Sequence, residues 1–529
     1  MAESQKKINK YVMSGTVKAV IFVIFAALVI FPLISVFLNI EEESLKKVID
    51  SPQFSVSMKN SLTAGIFSTV ITLFISYLLA VSVERSGIKR KEFWSTVLVL
   101  PMLVPSISHG MGLVVLLGNN GFLTRLFELE SNIYGLTGIV AGSVMYAFPV
   151  AFLMFRDILK YEDRSPYEAA QVLGIPRIRQ FTAITLPYLT KPLISVTFAV
   201  FTMVVTDYGV PLMIGGKYTT VPVMMYQEVI GQLDFGKGAV YGVILLIPAV
   251  VAFVFDLIKS EKGNSSFVTR TYENHNKLTT VVSGAFCTVV SVCVLVPLVS
   301  FAVMGFANYY PDDLSFSLKT LEKTFDMSTG EFFVNSIVIA VATSILGMVL
   351  SFVTAYFTAR MKSVSSKLLH LIAITSAAIP GIVLGLSYIL AFKTSVFYGT
   401  MIILIMVNMI HFISSPYIMV YNSLNKMNQN LEPVGEALGI SRFRMIKDVI
   451  IPQCGFTLCE VVSYFFVNCM ITISAVSFLA TYMTKPVALV INEFEAQMRL
   501  ESAAIVSLAI LLVNIVFKAL ISLIKRKIK

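Results

Sequence analysis

The sequence is poor in charged residues. Only 14% of its 529 residues are Asp, Glu, Lys or Arg, whereas soluble domains carry about 25%. Hydrophobic residues make up 56% of the chain, and no soluble fold can bury that much apolar surface. The composition therefore excludes a soluble protein and predicts an all-α polytopic membrane protein.

The sequence also lacks the residue groupings of metal and catalytic sites. Its five cysteines are odd in number and have no metal-site spacing, so we interpret them as small core residues. His109 and His411 are isolated from one another, which argues against a metal site. No predicted span carries paired His, Asp and Glu residues suited to acid–base chemistry. We therefore expect neither a metal site nor an enzyme.

An ATPase signature is absent as well. The nearest match to a phosphate-binding loop, at 215–218, has no Ser or Thr after its lysine, and Pro211 replaces the first glycine of that motif. Any ATP-driven activity would thus need separate subunits that use the ATP. We expect this chain to bind no cofactor of its own.

The basic residues predict the membrane topology. The net charge is +10, but Lys and Arg fall in loops at alternate span ends, as the positive-inside rule requires. This pattern favours a lipid membrane over nucleic acid as the partner, and it places both termini in the cytoplasm. The twelve predicted spans lie at about 17–38, 61–83, 94–117, 136–155, 192–214, 239–257, 280–306, 333–358, 368–392, 398–421, 457–482 and 503–524.

A helix–turn–helix is predicted at 165–187, between the fourth and fifth spans. Ser165 and Glu168 have the spacing of a capping box. Gly174 is placed to end this helix in a left-handed turn. A second short helix follows, and its basic residues are Arg177 and Arg179.

The stretch has a counterpart in the second half of the chain. Gly174 matches Gly439 and Pro187 matches Pro452, and the residue numbers differ by 265 in both pairs. This loop offset is half the chain length, so it predicts two fused six-span halves. The predicted organisation is a first half at 1–258 with its helix–turn–helix loop at 159–191, a linker at 259–278, and a second half at 279–529 with its loop at 422–456.

The second copy differs from the first. Residues 433–435, Pro-Val-Gly, stand where the first copy has Glu168, Ala169 and Ala170. A proline in a first helical turn costs little, because the amides there have no intrahelical partner. Glu432 stands one position earlier. We therefore expect the shape to persist and Glu432 to replace the carboxylate of Glu168 in part.

Both loops resemble the cytoplasmic coupling loop of ABC importer permeases. The resemblance rests on E-A-A at 168–170, the glycine at 174 and I-T-L-P at 184–187. It implies two ATP-binding cassette subunits that use the ATP, an extracytoplasmic solute-binding protein, and a multi-pass location in the bacterial plasma (inner) membrane. The implied ATPase-coupling residues are Ser165, Glu168, Ala169, Ala170, Gly174, Arg177, Arg179, Glu432, Glu436, Gly439, Arg442 and Arg444.

Two further stretches are similar to fused permeases for ferric iron, thiamine and 2-aminoethylphosphonate. Asp207-Tyr208-Gly209 matches an Asp-aromatic-Gly sequence of that group, and 470–479 resembles the eleventh span of its phosphonate and sugar-phosphate members. Polar residues inside a membrane are functional candidates, although a solvated span end and helix–helix hydrogen bonding are alternative roles. The pathway candidates are Asp207, Tyr208, Asn468, Thr472 and Ser474.

These observations predict the permease subunit of a binding-protein-dependent ABC importer, which moves a small solute of the ferric iron or phosphonate type inward by alternating access. Thiamine and polyamine are the further substrates that the sequence leaves open. The alternative is an ion-coupled secondary transporter, because such proteins also contain internal repeats. A secondary transporter, however, needs no matched pair of cytoplasmic helix–turn–helix loops.

Overall fold

The computed structural model describes residues 15–128, 133–259, 276–310, 312–361 and 363–528. Most of these residues are helical, which confirms the predicted all-α class. The sheet in this part of the chain is one antiparallel hairpin of Ala307–Tyr309 and Asp313–Phe316. Residues 260–275 of the predicted linker, and residues 1–14 before the first span, lie outside the described residues.

Each of the twelve predicted spans corresponds to one long helix or one bent helix pair. In the described residues, nine helices are long and apolar enough to cross a membrane, and three bent pairs raise the number to twelve. Spans 1 to 6 are Gly15–Leu38, Pro52–Glu84, Lys91–Leu103 with Ser106–Leu126, Leu136–Lys160, Ile178–Val205 and Phe235–Phe255. Spans 7 to 12 are Lys277–Phe306, Gly330–Ala359, Val364–Ala378 with Gly381–Phe392, Met401–Phe412 with Ser414–Lys426, Arg442–Ile471 and Leu500–Ile528.

Prolines mark the sharp bends of spans 3 and 9. Span 3 bends by 96° and span 9 by 109°. Pro105 and Pro380 stand directly before the second helix of each pair, where a proline interrupts the helical hydrogen bonds. The two residue numbers differ by 275, a second repeat offset that we call the span offset. The same break therefore recurs in both halves.

Spans 5 and 11 end earlier in the chain than the sequence predicts. Both helices end well before the predicted boundary, at Val205 and Ile471. The chain then turns into the bundle, and the segment 215–238, predicted to be external, contains the buried helix Val221–Tyr226. Five of the ten residues of its counterpart Val487–Ala496 are buried as well, and we call these two elements the inner helices. Apolar composition cannot distinguish a membrane span from a segment buried inside the protein. Burial in lipid and burial in protein both require apolar side chains.

The first span of each half packs against the other half. Span 1 contacts the second helix of span 9, and span 7 contacts spans 2 and 3. Polar contacts repeat this exchange. The ammonium of Lys18 donates to the hydroxyls of Ser363 and Ser366 at 3.1 and 3.0 Å. The Thr280 hydroxyl donates to the Ser86 carbonyl at 2.7 Å. The halves therefore form one interleaved bundle.

Candidate coupling site and substrate pathway

The loop after span 4 folds into the predicted helix–turn–helix. Its first helix is Ser165–Val172, and Gly174 follows with a left-handed φ of +67°. The Ile175 N–H donates to the carbonyl of buried Ala170 at 2.9 Å, and the Gly174 N–H donates to the Gln171 carbonyl at 3.1 Å. These two bonds form a Schellman turn, which ends a helix and satisfies its last carbonyls. The predicted role of Gly174 in the turn is confirmed.

The predicted capping box is wrong. Arg164 occupies the cap position and makes no side-chain capping bond, so Ser165 already lies inside the first turn. Asp163 accepts hydrogen bonds from the Ser165 N–H at 3.0 Å and from its hydroxyl at 2.9 Å, and these bonds lower the pKa of Asp163. Glu168 instead pairs with Arg164 at 2.9 Å. Glu168 stays partly exposed, and Ala169 beside it is exposed.

The loop after span 10 repeats the same turn. Its helix is Leu431–Ala437, and Gly439 has a φ of +71°. The Ile440 N–H donates to the Gly435 carbonyl at 2.8 Å. Pro433 lies in the first turn, where its missing N–H has no intrahelical role. The expected persistence of the helix–turn–helix shape is confirmed.

A buried polar cluster anchors the helix Ser165–Val172, which we call the first coupling helix. The Tyr167 hydroxyl donates to Glu162 at 2.5 Å and lies 2.7 Å from the Thr185 hydroxyl. Arg85, which follows span 2, forms an ion pair with Glu162 and donates to the Tyr167 hydroxyl at 3.4 Å. Burial and the bond to Glu162 raise the pKa of Tyr167, so its hydroxyl keeps its proton. The cluster joins span 2, the coupling helix and the start of span 5.

Arg360 anchors the helix Leu431–Ala437, which we call the second coupling helix. It follows span 8 and donates twice to Glu432, at 2.7 and 2.5 Å. The expectation that Glu432 replaces the carboxylate of Glu168 is wrong, because the Glu432 carboxylate is turned into the protein and held by Arg360. The Arg360 side chain is only 1% exposed. Its other donors reach the backbone carbonyls of Leu424, Met427 and Asn428 at 2.7 to 3.3 Å.

Arginines of both loops lie at the surface. Arg442 pairs with Glu436 at 3.0 Å. Arg444 is 77% exposed and lies 3.4 Å from the carboxylate of an aspartate one helical turn later. Arg179 is exposed as well, whereas the side chain of Arg177 falls outside the described part of the chain. Three predicted coupling arginines are therefore placed where a docking protein could reach them.

Both loops also expose large apolar side chains, which the sequence reasoning missed. Leu173 and Ile178 are 74% and 81% exposed in the first loop, and Leu438 and Phe443 are 70% and 76% exposed in the second. The two pairs are related by the loop offset. Exposed apolar clusters mark interaction surfaces. The sequence did contain a signal for this surface. Apolar residues recur at equivalent positions of two loops that were predicted to face water.

Tyr208 belongs to an aromatic stack where the halves meet. Its ring stacks on Tyr226 with centroids 5.0 Å apart, and Tyr226 lies 6.3 Å from Phe478. The two tyrosines belong to the first half, and Phe478 belongs to the second. Tyr208 is only 2% exposed, so it lies inside the bundle.

Asp207 is buried and caps a helix. Its carboxylate accepts the Val210 N–H at 3.0 Å. This bond orients the short helix Gly209–Ile214. Asp207 is 8% exposed, so it is not a solvated span end. The physical reason is that the chain enters the bundle directly after Val205.

The remaining pathway candidates lie where span 11 ends. The side-chain amide of Asn468 donates to a backbone carbonyl one turn earlier at 2.8 Å. The backbone carbonyl of Asn468 accepts the Thr472 N–H at 3.1 Å. Ser474 approaches Gly381 of span 9 so closely that a Cβ on this glycine would overlap the serine hydroxyl. In this structure the three residues therefore support the helix end and the packing of spans 9 and 11.

Polar side chains of spans 2 and 8 fasten the inner helices. The Ser61 hydroxyl accepts the Val221 N–H at 2.8 Å, and the Ser336 hydroxyl accepts the Val487 N–H at 2.7 Å. The residue before each serine is an asparagine that donates to a carbonyl just before the inner helix, at 3.0 and 2.9 Å. Both halves thus hold the N-terminus of an inner helix by the same two side chains.

A hydrogen bond joins equivalent residues of the two inner helices. Val221 is equivalent to Val487, the first residue of the other inner helix, and the same shift along the chain takes Tyr226 to Asn492. The Asn492 amide donates to the Tyr226 hydroxyl at 3.3 Å. Equivalent residues that touch one another lie on the two-fold relation between the repeats. This contact lies beside the Tyr208 stack and joins the two halves.

Comparison with known proteins shows the family. The model of the binding-protein-dependent transport system inner membrane component family matches residues 72–259 and 347–529. The two matches contain the two coupling helices and together cover more than half of the chain. The protein therefore belongs to this family of ABC importer permeases, which are multi-pass inner membrane proteins.

Similar proteins include ferric permeases that match along both halves. The ferric transport system permease protein FbpB of Actinobacillus pleuropneumoniae is 24% identical over 519 residues, which cover 92% of this chain and 74% of that protein. The putative ferric transport system permease protein FbpB 1 of Haemophilus influenzae is 23% identical over 508 residues, covering 90% and 79%. The thiamine transport system permease protein ThiP of Haemophilus influenzae is 26% identical over 208 residues, covering 37% of each chain.

Proposed function

We propose that this chain carries a solute inward through the space between its two halves, driven by two ATP-binding cassette subunits that dock on the two coupling loops. The observation that carries the proposal is the repetition of one surface. Each loop has the same Schellman turn and the same exposed apolar pair, at positions related by the loop offset. Two equivalent docking surfaces suit two copies of one partner.

The proposed mechanism is alternating access. ATP binding brings the two ATPase subunits together and moves the coupling helices with them. The halves then separate at the Tyr208–Tyr226–Phe478 stack and accept solute from an extracytoplasmic binding protein. Hydrolysis returns the stack to the closed arrangement. This chain binds no ATP itself and acts as the moving part between the ATPases and the solute.

Ferric ion is the proposed solute. The supporting observation is coverage, since ferric permeases match at least 90% of this chain, whereas the thiamine permease matches 37% of it. A putative 2-aminoethylphosphonate permease of Salmonella typhi likewise matches 42%. Among these relatives, the ferric permeases match the largest share of this chain.

The docking surface is tested by charge substitution. We expect Leu173→Asp and Leu438→Asp together to abolish co-purification of the ATPase subunit, because buried charge opposes an apolar interface. The matched control is Val396→Asp. Val396 is 86% exposed in the loop between spans 9 and 10, at the opposite end of the bundle. Undiminished co-purification by the double variant would refute the proposed docking surface.

Transport is tested with the reconstituted complex of permease, ATPase subunits and binding protein in liposomes. We expect ATP-dependent uptake of radioactive ferric ion. The same assay with labelled 2-aminoethylphosphonate separates the two substrate classes. Uptake of phosphonate without uptake of iron would keep the importer and reject the ferric assignment. Uptake that needs an ion gradient and no ATP would reject the importer.

A further inference from the structure

Arg85 and Arg360 occupy equivalent places in the two halves. Each is the residue that follows the long second helix of its half, after Glu84 and Ala359. They are related by the span offset of 275, and so are the serines that hold the inner helices. The repeat therefore supplies one arginine at the same end of spans 2 and 8.

Both arginines reach the same position of their coupling helix. Tyr167 and Glu432 are related by the loop offset of 265, as are the turn glycines that follow them. Arg85 donates to the Tyr167 hydroxyl at 3.4 Å, and Arg360 binds the Glu432 carboxylate at 2.5 and 2.7 Å. One position of each coupling helix thus faces an arginine of the neighbouring span.

The source of the carboxylate is exchanged between the halves. In the first half Glu162 supplies it, from outside the coupling helix, and Tyr167 bridges the two. In the second half the coupling-helix residue Glu432 is itself the carboxylate. The residue equivalent to Glu162 is Met427, whose backbone carbonyl accepts from Arg360 at 3.1 Å. The arginine–carboxylate pair is kept although neither carboxylate position is shared.

The pairs are shielded from water. The side chains of Arg85 and Glu162 are 10% and 3% exposed, and those of Arg360 and Glu432 are 1% and 16% exposed. Exposed ion pairs contribute little, whereas removing one partner of a buried pair leaves an uncompensated charge. A guanidinium fixes both the direction and the length of its bonds to a carboxylate, because its N–H donors lie in one plane.

We propose that Arg85 and Arg360 are positioning residues that latch each coupling helix to span 2 or span 8, so that a displacement of the coupling helix moves the span. This role rests on the proposed function, in which ATPases displace these helices. The helices have only eight and seven residues, and isolated helices of this length are not stable in water. They need an external anchor to transmit a displacement.

The test transplants the first-half arrangement into the second half. Glu432→Tyr alone leaves Arg360 without a carboxylate. Glu432→Tyr combined with Met427→Glu rebuilds the tyrosine–glutamate pair of the first half. We expect the single variant to lower uptake per ATP hydrolysed at least tenfold in the reconstituted complex, and the double variant to regain at least half of the wild-type ratio. Glu42→Tyr is the control, because Glu42 forms an exposed pair with Lys46.

A second measurement needs no ATPase. Hydrogen exchange of the purified permease alone should be at least tenfold faster at 431–440 in the single variant, return toward wild type in the double variant, and stay unchanged in the membrane spans. Wild-type exchange or a wild-type coupling ratio in the Glu432→Tyr variant would overturn the latch. So would a double variant that stays as defective as the single one. If the exchange result holds but the wild-type complex transports nothing, the proposed function fails and the anchoring contact stands.

Discussion

Gly174 and Gly439 carry the same turn for the same conformational reason. Their φ angles are +67° and +71°, and a Cβ on either would meet no atom within 4 Å. The requirement is therefore backbone conformation and not space. A left-handed residue with a side chain costs about 1–2 kcal/mol, and asparagine tolerates this region better than most.

We expect Gly174→Asn to keep most of the uptake activity and Gly174→Val to lose most of it, because a β-branched residue strongly resists positive φ. The measurement is ATP-dependent uptake in liposomes. Gly284→Val is a matched control, since Gly284 lies inside span 7 and a Cβ added there would also meet no atom within 4 Å. Equal uptake by the Asn and Val variants would contradict a conformational requirement.

A serine faces a glycine at two close approaches, one in each half. Ser106 faces Gly209 in the first half, and Gly381 faces Ser474 in the second. Ser106 is equivalent to Gly381 by the span offset, and Gly209 is equivalent to Ser474 by the loop offset. The contact is thus the same, but the two residue types have changed places.

We expect Gly381→Ala to lower the melting temperature of the permease, because the new methyl would overlap the Ser474 hydroxyl and overpacking costs about 1–3 kcal/mol. Adding Ser474→Gly should recover at least half of the loss, because it removes the overlapping atoms. Gly284→Ala should cause no loss. A double variant as unstable as Gly381→Ala would show that the Ser474 contact is not the cause.

At the scale of elements, a serine hydroxyl and an asparagine amide hold the N-terminus of each inner helix. Ser61 and Ser336 accept the first N–H of an inner helix. Helix N-termini have N–H groups without intrahelical partners, and a buried N–H without a partner costs about 1–3 kcal/mol. The serines therefore keep short helices ordered inside the bundle.

We expect Ser61→Ala and Ser336→Ala each to speed hydrogen exchange of the attached inner helix and to lower the melting temperature. Ser61→Thr and Ser336→Thr retain the acceptor oxygen and should be closer to wild type. Exchange that is unchanged in both alanine variants would mean that packing alone holds the inner helices.

At the scale of the whole molecule, the halves are joined by exchanged first spans rather than by the linker alone. Span 1 packs on span 9, and span 7 packs on spans 2 and 3. Further polar bridges cross the boundary, such as Ser108 to Ser507 at 2.9 Å and the Asn514 amide to the Leu103 carbonyl at 2.9 Å. These contacts do not need a continuous chain.

We expect residues 1–265 and 266–529, expressed as two chains, to assemble into a stable complex, because the cut removes none of the described contacts. Each half expressed alone should aggregate, since its first span would lack its packing partner. Co-purification and size-exclusion chromatography measure this outcome. A monodisperse, stable first half on its own would contradict the interleaved architecture.

Much of the fold was predictable from local signals. Gly174 and Gly439 could be placed in turns because glycine alone reaches positive φ at low cost. The spans followed from apolar length, whereas the sharp bends at Pro105 and Pro380 were not predicted. The capping box failed because Asp163, just before the helix, binds Ser165 itself. The predicted ends of spans 5 and 11 were wrong, because an apolar segment has the same composition in lipid and in a protein core.

The sequence by itself determined the membrane class, the two-fold repeat and the shape of both coupling loops, because apolar runs, offsets and turn glycines are properties of the chain. Only the tertiary structure decided which side chains hold those loops. Glu432 looked like a substitute for Glu168 by sequence distance, yet it faces Arg360, which lies 72 residues away along the chain. Ion pairs between distant segments depend on how helices pack, and no local pattern records that.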